Sequence, residues 1–140
     1  MKYLLLLLLI VGTLLGSQNK YELKIYNTIL HALFPNKQTV AVWSDNRQKL
    51  SYLSQLSFVT PTQQKNKADF LLITKDSNIS ANNALLFTTS YRLLQYYKDK
   101  AIGGFYWKKG RPNIIFIKYN IHKHNIHLPK PLHKYCEDDI

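Results

Sequence analysis

Between Ala101 and Lys118 the sequence AIGGFYWKKGRPNIIFIK sets two apolar arms about a polar Lys109-Gly110. The arms are rich in β-branched and aromatic residues, and Gly110 supplies the positive φ that a tight turn needs. The pattern predicts a two-residue β-hairpin. Such a turn puts Phe105 opposite Ile114 and Gly103 opposite Phe116. One face then carries Gly103, Phe105, Trp107, Ile114 and Phe116, and the other Ile102, Gly104, Tyr106, Ile115 and Ile117. Both faces are largely apolar, so each must be covered by helices or kept for a partner.

Upstream, the apolar positions change period. Leu23, Tyr26, Ile29, Leu30, Leu33 and Phe34 recur at three-four spacing, which predicts a helix over 21–34 that Pro35 stops. Gln38 to Trp43 reads as a short strand. Ser44 or Asp45 is placed to cap a helix over 46–56, whose apolar face is Leu50, Leu53 and Leu56. Phe58-Val59 reads as a short strand ended by Pro61, and residues 62–67 as a loop or single helical turn. Ala68 to Thr74 is continuously apolar and predicts a buried strand. Ala84 to Phe87 is the next strand. Thr88, Thr89 and Ser90 offer caps for a helix through Tyr97, with Tyr91 and Leu94 on one side and Leu93 with Tyr97 on another. After the hairpin, Asn120 can cap a short helix, Leu128-Pro129 breaks it, and residues 130–137 form a last helix. Strands alternate with helices until the hairpin, so the fold class is α/β. The expectation is a layered mixed sheet flanked by helices, with parallel strands early and an antiparallel hairpin at 101–118.

The first residues follow another logic. Lys2 is a minimal positive region, Leu4 to Val11 an apolar one, and Gly12 to Ser17 is rich in small residues. This reads as a secretory signal peptide over 1–17, with cleavage after Gly16 or Ser17 both fitting. The apolar run falls short of the ~20 residues of a comfortable spanning helix. The expectation is therefore a single domain over 18–140, exported to the periplasm by a cleaved signal peptide. The full chain has 19 basic and 8 acidic residues, a formal charge of +11; without Lys2 the balance is 18 to 8, or +10. Export turns that charge away from nucleic acid and toward an acidic partner, an acidic polymer or a weak contact with an anionic membrane surface. A solvated basic surface kept for solubility is the alternative. With one cysteine, Cys136, no intrachain disulfide can form, and the thiol is buried, free or bridged to another chain.

Candidate chemistry is sparse. His122, His124 and His127, with His133, Cys136 and Asp138 nearby, could supply zinc ligands, but their spacing matches no zinc pattern and Lys123, Lys130 and Lys134 bring competing charge. The reading is no metal, with those three histidines as its alternative. There is no Gly-x-Ser-x-Gly elbow, and the acids are dispersed except at the C-terminus, so no catalytic residues are assigned and an enzyme is not expected. Gly103-Gly104 lies within a strand pattern and points to close backbone approach rather than a phosphate loop. Thr88, Thr89 and Ser90, with Arg92 a turn further on and Trp43 at a neighbouring strand end, form a candidate small-anion site; plain helix capping is the alternative. Tyr106, Trp107, Lys108, Lys109 and Arg111 make an aromatic, basic hairpin tip. That mix suits a protein interface, against the plainer reading of an aromatic strand with a solvated turn.

GRPNIIFIKYN followed by IHKHNIHLPKPLHKY resembles the C-terminal signature of the YfiR-like periplasmic regulators. Gly110, Arg111, Phe116, Asn120, Ile126, Leu128 and Leu132 occupy its positions. YNTILHALFP is similar to that family's first helix, with Phe34-Pro35 where the family has Trp-Pro. The resemblance implies a YfiR-like α/β domain over 18–140, without catalysis or cofactor. It would bind the periplasmic part of a membrane diguanylate cyclase or related sensor and regulate it by protein contact. Dimerisation is common in the family and extends here as an expectation. The family's disulfide-based regulation does not carry over to a chain with one cysteine. The runner-up is a periplasmic solute-binding protein working through Thr88, Thr89, Ser90, Arg92 and Trp43.

Overall fold

The computed structural model describes residues 19–140; the predicted signal peptide lies outside them. A helix over residues 19–33 (α1) opens the described chain. It buries Tyr26, Ile29, Leu30 and Leu33, the stripe its spacing predicts, with Leu23 and Phe34 partly covered. Then follow β1 (Val40–Ser44), α2 (Arg47–Leu53), β2 (Val59–Pro61), a 3₁₀ turn (Lys65–Lys67), β3 (Phe70–Ile73) and β4 (Leu85–Thr88). After them come α3 (Tyr91–Tyr96), β5 (Ala101–Lys108), β6 (Arg111–Ile117), α4 (Lys118–Lys123), a second 3₁₀ turn (Lys130–Tyr135) and β7 (Cys136–Glu137). Among the described residues no helix is long and apolar enough to cross a membrane.

The strands form one sheet in the order β2-β1-β3-β4-β5-β6-β7. Every neighbouring pair is parallel except β5 and β6. This is the layered mixed α/β sheet that the alternation of elements predicts. β3 and β4 are buried along their whole length, as a strand covered on both faces must be. On one face α1, α2 and the C-terminal segment cover Val42, Phe70, Phe87, Phe105 and Phe116. On the other, α3 covers Leu71, Ile73, Leu86 and Ala101 with Leu93, Leu94 and Tyr97.

The hairpin register is the one its two-residue turn predicts: Phe105 faces Ile114 and Gly103 faces Phe116. Lys109 and Gly110 both have positive φ, 51° and 71°, the geometry of a type I′ turn. Gly103 lies between Phe87 on β4 and Phe116 on β6, whose rings stand 6.3 Å apart. A Cβ there would overlap the Ile115 carbonyl oxygen and come within 3.2 Å of the Phe116 ring, so glycine is required first by the close approach of the β6 backbone and also leaves room for the two phenyl groups.

Several local expectations are corrected. Ile102 does not share the face of Gly104 and Tyr106. A register shift between Leu86 and Phe87 pairs them with Ala101 and Gly103, and the extra residue turns Ile102 toward the α1 side with Phe105. The cap of α2 is Asn46, whose Oδ1 accepts from the Lys49 N–H at 3.1 Å, and the helix stops at Leu53. Ser44 and Asp45 instead bond to the neighbouring strand β3 and the residues after it. On α3 the buried residues are Leu93 and Leu94, backed by Tyr97, while Tyr91 is exposed. Asn120 does not cap α4. It is buried inside it, and its amide donates to the carbonyls of Lys98 at 2.7 Å and Ala101 at 2.6 Å. The last predicted helix is a 3₁₀ turn followed by a two-residue strand that pairs with Phe116 and Ile117.

Candidate functional site

The hairpin tip is built by the unequal lengths of neighbouring strands. β4 pairs with β5 only as far as Gly104, whereas β5 and β6 stay paired to Lys108 and Arg111. Four residues of each arm therefore extend past the end of β4. On the α1 side Phe105 is buried edge-on against Tyr26, with ring centres 5.3 Å apart. Trp107 packs on Phe105 at 5.7 Å and on Tyr21 at 6.3 Å. On the opposite side Tyr106 is half-buried against Tyr91, 6.1 Å away. Burial, with the Tyr91 phenol beside it, raises the Tyr106 pKa.

Lys108, Lys109 and Arg111 are exposed, and none of them forms an ion pair among the described residues. Together with Asn113 they line a shallow notch of about 350 Å³. The edge of β6 itself is a poor docking rail. In a two-residue hairpin Lys108 and Arg111 exchange the first pair of hydrogen bonds, so the alternation turns the backbones of Pro112 and Ile114 outward. Pro112 has no N–H to offer there, which blunts the edge. The tip therefore presents side chains: two tyrosines, a tryptophan and three cations. All five predicted tip residues sit at this end of the hairpin, with Tyr106 and Trp107 on its opposite faces. Tyr91, the first residue of α3, joins Tyr106 through the packing of α3 beside β5, which no pattern in the sequence signals.

The predicted anion corner has a different character. The Thr88 side chain is fully buried, and its hydroxyl donates to the Ser90 carbonyl at 3.4 Å. Thr89 Oγ1 donates to the Ile73 carbonyl at 3.2 Å, and Ser90 Oγ accepts from the Leu93 N–H as the α3 cap. Arg92 is paired with Asp76. Trp43 is partly buried on the α3 side of the sheet, with the Lys65 ammonium 5.4 Å above its ring. In a sheet of this order, ligands dock where successive connections diverge, here between the carboxyl ends of β1 and β3. Asp45 occupies that crevice. Its carboxylate accepts from Thr74 N–H at 2.9 Å, Thr74 Oγ1 at 2.7 Å and Lys75 N–H at 3.0 Å, while Ser44 Oγ donates to the Leu72 carbonyl at 2.8 Å. The polar groups of this end are committed to one another.

His124 parts from the other histidines. His122, His127 and His133 line one cleft beside α4, where His133 Nε2 donates to the Leu128 carbonyl at 2.8 Å, and His124 is an exposed residue at the end of α4 that does not line it. Among the described residues no three His, Cys, Asp or Glu side chains come together closely enough to hold a metal ion. Cys136 is half-buried and free of any disulfide. Burial raises its pKa, Asp138 and Glu137 add to that, and Lys118 opposes it; a thiol so placed is a poor nucleophile near neutrality.

No family model matches this chain, and no curated protein does. It is similar in structure to a conserved domain protein from Vibrio cholerae O1 biovar El Tor strain N16961, solved by crystallography. The TM-score is 0.52 at 12% identity, over 81% of this chain. The chain spans 58% of the length of that protein. A likeness at this identity shows a shared α/β fold.

Proposed function

We propose that this protein is a periplasmic, non-enzymatic regulator of the YfiR-like kind, which docks through its hairpin tip on the extracytoplasmic domain of a membrane sensor such as a diguanylate cyclase. The observation that carries the reading is the tip itself. Three cations without ion-pair partners among the described residues and two half-buried aromatic rings stand beyond the sheet, on an arm braced by α1. Half-exposed Tyr and Trp supply contact area at low entropic cost, and Arg and Lys supply orientation toward an acidic surface. The resemblance in GRPNIIFIKYN and the leader-like first 17 residues support the same reading. The alternative, solute binding at Thr88, Thr89, Ser90, Arg92 and Trp43, draws no support from a corner whose hydroxyls and Arg92 already have partners within the chain.

The test is capture from detergent-solubilised membranes of the native cells with the tagged protein, beside the K108E/K109E/R111E variant. The wild type is expected to retain a sensor with an extracytoplasmic domain, and the triple variant to lose at least tenfold of it with an unchanged melting temperature. Deletion is expected to shift cellular cyclic-di-GMP. Capture of no sensor, together with unchanged cyclic-di-GMP on deletion, would sink the reading.

A further inference from the structure

A cleft of about 690 Å³ opens between α4 and the second 3₁₀ turn, at the other end of β6 from the hairpin tip. Its walls follow from the way α4 ends. Asn125 takes a left-handed conformation, φ 54°; its N–H donates to His122 O at 2.9 Å and the Ile126 N–H to Ile121 O at 3.0 Å. This is a Schellman ending, and it folds Ile126 back toward Ile121. Ile121, Ile126 and Leu128 line the cleft with apolar surface. The far wall is held by the bond from His133 to the Leu128 carbonyl. Lys118, His122, Asn125, His127 and His133, all exposed, and the half-buried Cys136 supply its polar side. No carboxylate lines it, and Lys118 also reaches Asp138 at 3.0 Å outside it. An apolar wall with a few donor groups, in a volume of several hundred Å³, is the ordinary make-up of a small-molecule site.

We propose that this cleft binds a small organic anion with an apolar body, a short-chain carboxylate. Its hydrocarbon would lie on Ile121, Ile126 and Leu128, and its carboxylate would accept from the imidazole N–H groups of His122 and His127 and from Lys118. With no carboxylate in its lining and the Lys118 ammonium at its edge, the cleft favours an anion over a neutral alcohol, and the apolar wall favours an organic anion over an inorganic one. The inference is independent of the docking reading, since it uses no residue of the tip.

The experiment is a titration of the purified protein with hexanoate, followed by nuclear magnetic resonance of the imidazole groups. Saturable shifts at His122 and His127 are expected. Hexanol and inorganic phosphate at the same concentrations are expected to leave both unmoved. His122→Ala with His127→Ala should weaken hexanoate at least fivefold. Ile126→Trp, which fills the cleft and keeps both histidines, should abolish binding while the wild-type melting temperature is retained. An equal response to hexanol or to phosphate, shifts that never saturate, or tighter capture of zinc chloride alone by the same histidines would each overturn the assignment.

Discussion

Tyr26 carries a phenol where nothing receives it. The side chain is fully buried at the α1–sheet contact, and its hydroxyl has no hydrogen-bond partner among the described residues. Burial first, then the nearby Glu22 carboxylate and the Tyr52 phenol, push its pKa well above the ordinary value of 10.0. Because the folded pKa is raised, the unfolded chain gives up this proton first, so the native state is unaffected by it below about pH 10 and loses stability as pH climbs from there toward the folded value. Tyr26→Phe removes an unsatisfied buried polar group and keeps the ring. It should raise stability by about 1 kcal/mol at neutral pH in urea unfolding, and it should flatten the fall in melting temperature above pH 10. A variant less stable than wild type at pH 7 would mean that the hydroxyl has a partner after all. Asn120 is a mixed case. Its Oδ1 is buried with no partner among the described residues, while its amide nitrogen donates to two carbonyls at the α3–β5 connection, so Asn120→Ala removes one orphan, leaves both carbonyls without that donor and should cost a net of about 1–2 kcal/mol by the same measurement.

At the scale of elements, Asp45 explains why the carboxyl end of the sheet is closed. Its carboxylate joins the end of β1 to the residues after β3 through two backbone amides and a hydroxyl. Asp45→Ala should lower stability by about 2–3 kcal/mol, since bonds to a charged acceptor are the stronger kind, and should speed amide exchange at Thr74 and Lys75 before the rest of the sheet. Uniform exchange across the sheet would assign Asp45 no local role. How legible each element was depends on where its cause lies. The hairpin was readable because its register follows from a local cause, a left-handed glycine between two alternating arms. β3 was readable because its apolar run, Phe70 to Ile73, is continuous and too short for a helix, as a strand covered on both faces is. The side to which Ile102 turns was not, since it is set by a shift in pairing with β4, a strand 14 residues away in sequence. β7 was not either: Cys136-Glu137 has no strand pattern and is a strand only because the edge of β6 receives it. Asn120 suits a helix start by type, and only the tertiary approach of Lys98 and Ala101 makes it an anchor. Of the candidate site, the five tip residues were readable because a hairpin keeps sequence neighbours together. Tyr91 was not, because its approach to Tyr106 depends on how α3 lies against β5.

At the scale of the whole molecule the question is whether the tip's charge reads a membrane or a protein. The chain without Lys2 carries +10, but a rigid body touches a flat bilayer with few of its charges. At the tip these are Lys108, Lys109 and Arg111, on a hairpin end that extends past β4. At about 1 kcal/mol for each cation near an anionic leaflet, they would contribute about 3 kcal/mol, roughly a hundredfold in association. On the α1 side little apolar surface is left to insert behind that attraction: Phe105 is already buried against Tyr26, and Trp107 is half-covered by its packing on Phe105 and Tyr21. It is also screened over about 8 Å at physiological ionic strength. Sedimentation with vesicles of one-third anionic lipid should therefore show binding at ~0.01 M salt that disappears by ~0.15 M. Capture of the sensor proposed above, with aromatic contacts that salt does not weaken, should persist at the higher value. If the vesicles alone hold the protein at ~0.15 M salt and K108E/K109E/R111E releases it, the tip is a membrane anchor. The docking role would then belong to another surface.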